Sequence, residues 1–282
     1  MIRLMRRLYN QAICGRFQKY VIDGKFDYVF CAHFMAGEIC GRLKRQGKIS
    51  SRLVTIVTDY DVHRIWVVDG IDVYAVACDY TKNTLRHLGV DDRRIVVTGI
   101  PVDEKFTQVH DVVEVKDKLG LVKDAFTVLI ATGSFGIGPI EAIIAELKDF
   151  QIIVVCGHNK KLLEKMRNKR RPALQVLGLV DNMHELMAVS DCMVTKPGGL
   201  SITEALVSQL PMVFFNAIPG QETNNVKVLK SYGIGISDCT IPQIGAYMRT
   251  LAASKDAHRS AVNRTKELAR PQAVRDIRLL IT

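Results

Sequence analysis

Short runs of aliphatic and β-branched residues recur along the chain, each followed by a stretch whose apolar positions fall at helical spacing. That alternation is the pattern of βαβ units and a parallel sheet. In the first part, strands are predicted at 28–32, 53–58, 73–77 and 94–98. After Pro101 the chain turns polar through Asp103, Glu104, Lys105, Thr107 and Gln108. The boundary set here gives two domains, 1–104 and 105–282, and the last helix is a candidate to pack back on the first. The second part is more regular, with strands predicted at 127–131, 152–156, 174–177, 192–195, 212–215 and 235–237, and helices such as 139–148 and 201–209 between them. Six strands with five crossovers make one complete doubly wound domain. The four strands of the first part read as the back half of such a domain without its opening strands. The expected fold class is α/β.

Composition narrows this picture. Of 282 residues, 48% are hydrophobic and 24% charged, which excludes a wholly disordered or fibrous chain. The longest apolar stretches, such as 211–217, fall far short of the roughly 20 residues a membrane-spanning helix needs. The start, Met1-Ile2-Arg3-Leu4-Met5-Arg6-Arg7, is too interrupted by arginine to read as a signal peptide. Seven cysteines without a Cys-x-x-Cys pair point to free thiols in a reducing cytosol.

The net charge of +10 is uneven. Arg3, Arg6, Arg7, Arg16 and Lys19 stand without an acid in residues 1–20, and Lys160, Lys161, Lys165, Arg167, Lys169, Arg170 and Arg171 stand against Glu164. Such clusters either attract phosphate or form solvated helix faces. At the start, Met1, Met5, Leu8, Tyr9, Ala12 and Phe17 recur at helical spacing, which suits either an anionic membrane surface or a core-packing helix. No RNA-binding signature is present and aromatics are only 7%, so nucleic acid is not an expected partner.

Candidate chemistry sits in three glycine-rich turns that follow strands of the second part. The first is Ala131-Thr132-Gly133-Ser134-Phe135-Gly136-Ile137-Gly138. Its glycines let the backbone approach a ligand, and the next helix offers free N–H groups to an anion. It is neither a dinucleotide G-x-G-x-x-G nor a Walker loop. The second is Thr195-Lys196-Pro197-Gly198-Gly199-Leu200-Ser201-Ile202-Thr203-Glu204. Glu204 either closes a capping box with Ser201 or grips ribose hydroxyls beside a diphosphate. The third, Asn216-Ala217-Ile218-Pro219-Gly220-Gln221-Glu222-Thr223-Asn224-Asn225, gathers amides and a carboxylate suited to sugar hydroxyls, or to decorating a helix cap. All three fall at strand C-terminal ends of one sheet and so converge on one crevice.

The strings Val180-Asp181-Asn182-Met183-His184-Glu185-Leu186-Met187, Thr195-Lys196-Pro197-Gly198-Gly199-Leu200 and Pro219-Gly220-Gln221-Glu222 resemble the monogalactosyldiacylglycerol synthase and processive diacylglycerol glucosyltransferase family. These are GT-B enzymes of two Rossmann-like domains facing a cleft. In the first part, Val57-Thr58-Asp59-Tyr60-Asp61-Val62-His63-Arg64-Ile65-Trp66 and Val97-Thr98-Gly99-Ile100-Pro101-Val102 fit the same pattern. The family's opening strand and Gly-rich loop ending in Gly-His have no counterpart here, in keeping with the short strand count.

The resemblance implies a UDP-sugar site. Gly133, Ser134 and Gly136 would lie near the diphosphate with Lys196, Gly198, Gly199, Leu200 and Ser201. Gly178 and Val180 would meet the uracil, and Gly157 and Asn159 would border the nucleotide. Glu204 would hold the ribose, and Gln221, Glu222 and Asn225 the donor sugar. Asp59 or His63 would serve as base toward the acceptor hydroxyl. Asp59-Tyr60-Asp61 spells an Asp-x-Asp metal motif, but its surroundings match the metal-free family, so no metal and no cofactor is expected.

The implied function is an inverting hexosyltransferase, peripheral on the cytoplasmic face of an anionic membrane, with a lipid acceptor such as diacylglycerol. The rivals are a non-catalytic UDP-sugar-binding fragment and a GT-B-fold sugar-nucleotide epimerase.

Overall fold

The computed structural model describes residues 14–133, 136, 138–169, 171–215 and 217–281. The chain divides into two compact units, one made of the residues up to Ile100 with those from Gln272 on, the other of Pro101–Pro271. Both are parallel α/β structures.

The first unit runs α1 (Gly15–Asp23), β1 (Tyr28–Cys31), α2 (Phe34–Arg45), β2 (Arg52–Ile56), β3 (Val73–Val76), α3 (Asp79–His87) and β4 (Ile95–Val97), and is joined by α12 (Ala273–Arg278). Its strands lie in the order β1-β2-β3-β4, all parallel. Each crossover therefore steps the same way, and the sheet has no reversal of strand order among the described residues.

Alternate residues of β2 and β3 feed two cores. Leu53, Tyr74 and Val76 pack with Cys31, with Ile39, Cys40 and Leu43 of α2, and with Leu85 of α3. On the other face, Val54, Ile56, Val73 and Ala75 pack with Ile277 of α12. A parallel sheet needs cover on both faces, and here the second face is covered only in part. Phe30, in register with Val54, stays 42% exposed, and Tyr28 beside Arg52 stays 36% exposed.

The second unit contains α4 (Val112–Lys118), β5 (Thr127–Ala131), α5 (Ile140–Glu146), β6 (Gln151–Val155), α6 (Lys160–Arg167), β7 (Leu174–Leu177), α7 (Met183–Ala188), β8 (Cys192–Thr195), α8 (Gly199–Val207), β9 (Met212–Phe214), α9 (Gln221–Ser231), α10 (Ile241–Ala253) and α11 (Lys255–Leu268). The sheet order is β7-β6-β5-β8-β9, all parallel. Every residue of β5 and β6 is buried, the continuous pattern expected of strands covered on both faces.

The strand expected at 235–237 is reduced to a single bridge, Val213 to Ile236. Gly233 and Gly235 both take positive φ (+67° and +70°), which breaks an extended run. A Cβ on Gly235 would also meet the Phe214 ring at 2.8 Å. Among the described residues the sheet thus has five strands where six were expected.

The packing of α2 in the first unit rests on a glycine pair. A Cβ on Gly41 would lie 2.5 Å from the Asp69 carbonyl oxygen, and one on Gly70 2.7 Å from that of Gly41. Gly41→Ala is expected to lower the unfolding free energy by about 1–3 kcal/mol through overpacking. Gly15→Ala, where nothing lies within 4 Å, is expected to be neutral or to stabilise by up to about 1 kcal/mol. Urea-denaturation midpoints of the two variants check the contrast.

Candidate functional site

In the second unit β5 pairs with β6 on one side and β8 on the other, and the chain order reverses between them. The carboxyl ends of strands flanking such a reversal border the crevice where open α/β sheets take their ligands. The turns after β5 (Thr132 to Pro139) and after β8 (Lys196 to Gly198) flank it. Side-chain bonds tie the neighbouring turns to these two. Asn159 Nδ2 donates to the Gly136 carbonyl (3.3 Å), and Asn225 Nδ2 donates to the Pro197 carbonyl (3.2 Å). The Gly157 amide donates to the Gly178 carbonyl (3.2 Å). The three glycine-rich turns thus occupy one edge of one sheet.

The turn after β8 is built to receive negative charge. α8 begins at Gly199 with Gly198 as its N-cap, no side chain caps its first turn, and no acid lies there. Its leading N–H groups are therefore open to an anion. Lys196 is half-buried at the strand end, and its ammonium has no hydrogen-bond or ion-pair partner among the described residues. Leu200 is exposed and Ser201 half-buried in the same turn. Because α8 starts at Gly199, Ser201 is its third residue and not the cap. The alternative of a capping box between Ser201 and Glu204 is therefore excluded.

Glu204 lies one turn further on, without a partner among the described residues, and burial pushes its carboxyl up to about 7. A carboxylate held away from water without a donor is poised to accept hydrogen bonds from ligand hydroxyls.

The structure sorts the other expected residues. Gly133 (φ +79°) is exposed with open space where a Cβ would stand. Gly136 (φ +53°) is buried, and a Cβ there would meet the Cys156 carbonyl at 2.7 Å. Ser134 and Asn216 lie outside the described residues, as does Arg170 of the basic run. Gly157 (φ +57°), Gly178 and Val180 are half-buried in the turns after β6 and β7, beside the exposed Leu179.

Asn159 caps α6, its Oδ1 accepting from the Leu162 amide (3.0 Å). With Nδ2 on Gly136 it is a brace for the first turn. Asn225 is 1% exposed, and its Nδ2 bond to the Pro197 carbonyl braces the second turn. Gln221 is exposed at the start of α9, and Glu222 accepts from the Ile218 amide (2.7 Å). Gly220, at φ +102°, permits that turn. Thr132, in the first glycine-rich turn, adds a polar group that the sequence does not single out. It is 4% exposed at the end of β5, and its Oγ1 is buried without a hydrogen-bond partner. A polar residue directly before the first glycine was the available signal.

In the first unit, Asp59 and His63 lie in the segment after β2. Asp59 is 3% exposed and accepts from Trp66 Nε1 at 3.2 Å. His63 is exposed, and its Nδ1 accepts from the Ile65 amide at 3.1 Å. An amide only donates there, so Nδ1 carries no proton and the neutral ring holds its hydrogen on Nε2. Among the described residues, no three His, Cys, Asp or Glu side chains gather as a metal site.

The basic clusters are partly structural. Lys165 and Lys169 pair with Glu141 (2.7 and 3.6 Å), and Arg171 donates to the carbonyls of Leu147, Lys148 and Phe150. Of the opening helical stripe, residues 1–13 lie outside the described residues. Phe17, which α1 carries, packs against the first unit's core beside Val21, so the core-packing alternative holds for that residue.

A sheet with this reversal, with an uncapped helix start and a lysine at the switch point, defines an α/β protein of the Rossmann type. Family models identify it further. The C-terminal-domain model of glycosyltransferase family 28 matches residues 112–255, and that of monogalactosyldiacylglycerol (MGDG) synthase matches residues 4–102. The chain belongs to glycosyltransferase family 28.

It is 34% identical over 201 residues to the processive diacylglycerol beta-glucosyltransferases of Bacillus mycoides (strain KBAB4) and Bacillus cytotoxicus (strain DSM 22905), over 69% of this chain and 52% of each of those. The chain thus spans about half the length of the curated relatives it matches. Among solved structures, it is similar to Acinetobacter baumannii MurG (TM-score 0.65, 16% identity, 94% of this chain and 75% of that one). It is also similar to the UDP-GlcNAc 2-epimerase from Neisseria meningitidis bound to UDP-GlcNAc (TM-score 0.74, 12% identity, 98% and 81%). These likenesses show the fold, which is GT-B.

The raised Glu204 carboxyl makes the ligand-free protein lose stability as pH rises from the ordinary carboxylate range through about 7, because the fold favours the protonated form. Glu204→Gln is expected to raise the melting temperature at pH 8 and to leave it little changed at pH 5. Thermal unfolding at the two pH values checks this.

Proposed function

We propose that this chain binds a UDP-sugar in the second unit and transfers its hexose, with inversion, to the hydroxyl of a membrane lipid, diacylglycerol in the first instance. The observation that carries the reading is the switch-point edge, where the open α8 amides, Lys196 and Glu204 stand together. The names of the relatives, diacylglycerol glucosyltransferases, support the acceptor. The solved Anabaena Alr3699/HepE complexes with UDP and with UDP-glucose, on the same fold, support the donor.

In this reading the diphosphate rests on the α8 amides and Lys196, with Gly133 and Gly136 letting backbone approach from the turn after β5. Glu204 accepts from the ribose hydroxyls, and Gln221 and Glu222 meet the sugar. The acceptor oxygen attacks the anomeric carbon as the bond to the β-phosphate oxygen breaks. A single displacement inverts that carbon. The negative charge gathering on UDP is held by fixed amides and a lysine, so no metal is needed. Asp59 takes the acceptor proton. His63, with Nδ1 occupied, presents a donor at Nε2 and is the weaker choice of base.

No helix among the described residues is long and apolar enough to cross a membrane. A lipid acceptor calls for membrane contact, and the free cysteines suit a reducing compartment, so the proposal puts the protein on the cytoplasmic face as a peripheral enzyme.

The first test is calorimetric titration of the chain with UDP-glucose, whose diphosphate does not titrate near neutrality. Affinity is expected to rise from pH 6 to a plateau above about 7 as Glu204 ionises, and Glu204→Gln to flatten that profile. Absence of binding at millimolar ligand defeats the reading.

The second test is glycolipid formation from UDP-hexose and diacylglycerol, followed by mass spectrometry. Asp59→Asn is expected to lower the rate about 10²–10⁴-fold and leave UDP affinity within about twofold. Binding without any glycolipid product favours the non-catalytic alternative, and a changed sugar nucleotide without acceptor favours the epimerase.

A further inference from the structure

At the end of the second sheet opposite the switch-point turns, α10 and α11 border the starts of β5 and β8 and leave a hollow of about 430 Å³. Its apolar lining is Phe126, Leu251, Ala252 and Val262. The Phe126 ring is held edge-on by Phe150 and by His258, each at 5.8 Å between centroids. His258 Nε2 lies 2.9 Å from the Asp191 carbonyl oxygen. A carbonyl only accepts, so Nε2 carries the proton and fixes the ring. The Asp191 carboxylate is spent on the Thr127 amide (2.7 Å).

Lys255, Arg259 and Lys266 line the same hollow, with Asn263 between them. Positions 255, 259, 262 and 266 share one face of α11 by their spacing. Lys255 and Lys266 have no carboxylate within ion-pair distance among the described residues. Arg259 reaches only Asp256, at 3.9 Å and with both side chains exposed. Three cations thus surround an apolar floor whose one acid is already engaged.

We infer that this hollow seats the phosphate headgroup of an acidic phospholipid, with the glyceryl and first acyl carbons on the apolar floor. Cations at a rim over apolar lining match an anionic amphiphile in both charge and polarity. Free inorganic phosphate gains nothing from the floor. A single-stranded nucleic acid needs open aromatic platforms, and the ring here is packed between two others. The site lies at the other end of the sheet from the donor turns and does not rest on the transfer reaction. It gives the second unit its own membrane contact.

The test is co-sedimentation of the full 282-residue chain with vesicles of phosphatidylcholine alone and of phosphatidylcholine mixed with phosphatidylglycerol. The mixed vesicles are expected to bind the chain, and the triple variant Lys255→Glu/Arg259→Glu/Lys266→Glu to weaken that binding by about tenfold or more. Cooperative thermal unfolding, retained in that variant, shows that the unit is still folded. A control reversal on α6, Lys160→Glu/Lys161→Glu/Arg167→Glu, is expected to keep most of the binding. Equal loss in both triples means general charge and overturns the site. So does full binding by the α11 triple, or competition by millimolar inorganic phosphate, which would mark a free-anion pocket.

Discussion

The structure of the second unit depends on β5 being hydrogen-bonded on both sides by parallel neighbours. Its five residues are wholly buried, so the strand can sit only in the middle of the sheet with helices on both faces. Once β6 lies to one side and β8 to the other, every following turn is delivered to the same edge. Several of these turns carry glycine at positive φ, as at Gly133, Gly136, Gly157 and Gly220, and the start of α8 leaves its first-turn amides without a side-chain cap. The ligand edge follows from the order of the strands, and the loop residues refine it.

That edge accumulates costs that a ligand can relieve. The α8 amides are uncapped, Lys196 has no counter-ion among the described residues, Glu204 is buried enough to hold a proton near neutrality, and Thr132 hides an unmatched hydroxyl. An anion and hydroxyl donors of the kind proposed would relieve each of these. The arrangement separates charge sensibly, with positive potential where phosphates would sit and a carboxylate a helical turn away, where a diol would. The braces Asn159 and Asn225 keep the turns in place.

Much of this was legible in the chain. The unbroken apolar runs 127–131 and 192–195 appear as strands at those bounds, because a buried parallel strand has a pattern few other elements share. The failures have local causes. The run 235–237 has apolar content but sits between glycines in the left-handed region, so it closes only one bridge. Gly198-Gly199 reads as a turn, yet the second glycine already begins α8, and that shift of register removes the apparent partnership of Ser201 with Glu204. The bonds of Asn225 to Pro197 and of Asn159 to Gly136 join residues 28 and 23 positions apart. No periodicity reveals them. The basic run 160–171, which by sequence fits either a phosphate patch or a solvated helix face, is partly structural: Arg171 closes the carbonyl end of α5 and two lysines share Glu141.

The first unit's sheet carries a different implication. β1 is bonded on one side only among the described residues, and the face bearing Tyr28 and Phe30 is left partly bare. Unsatisfied amides and carbonyls beside exposed rings form a template on which another extended segment can grow. Concentrated solutions of this polypeptide would therefore be prone to edge-to-edge self-association, and a charged side chain at position 28 or 30 would act as a gatekeeper against it without disturbing the switch-point edge of the other unit.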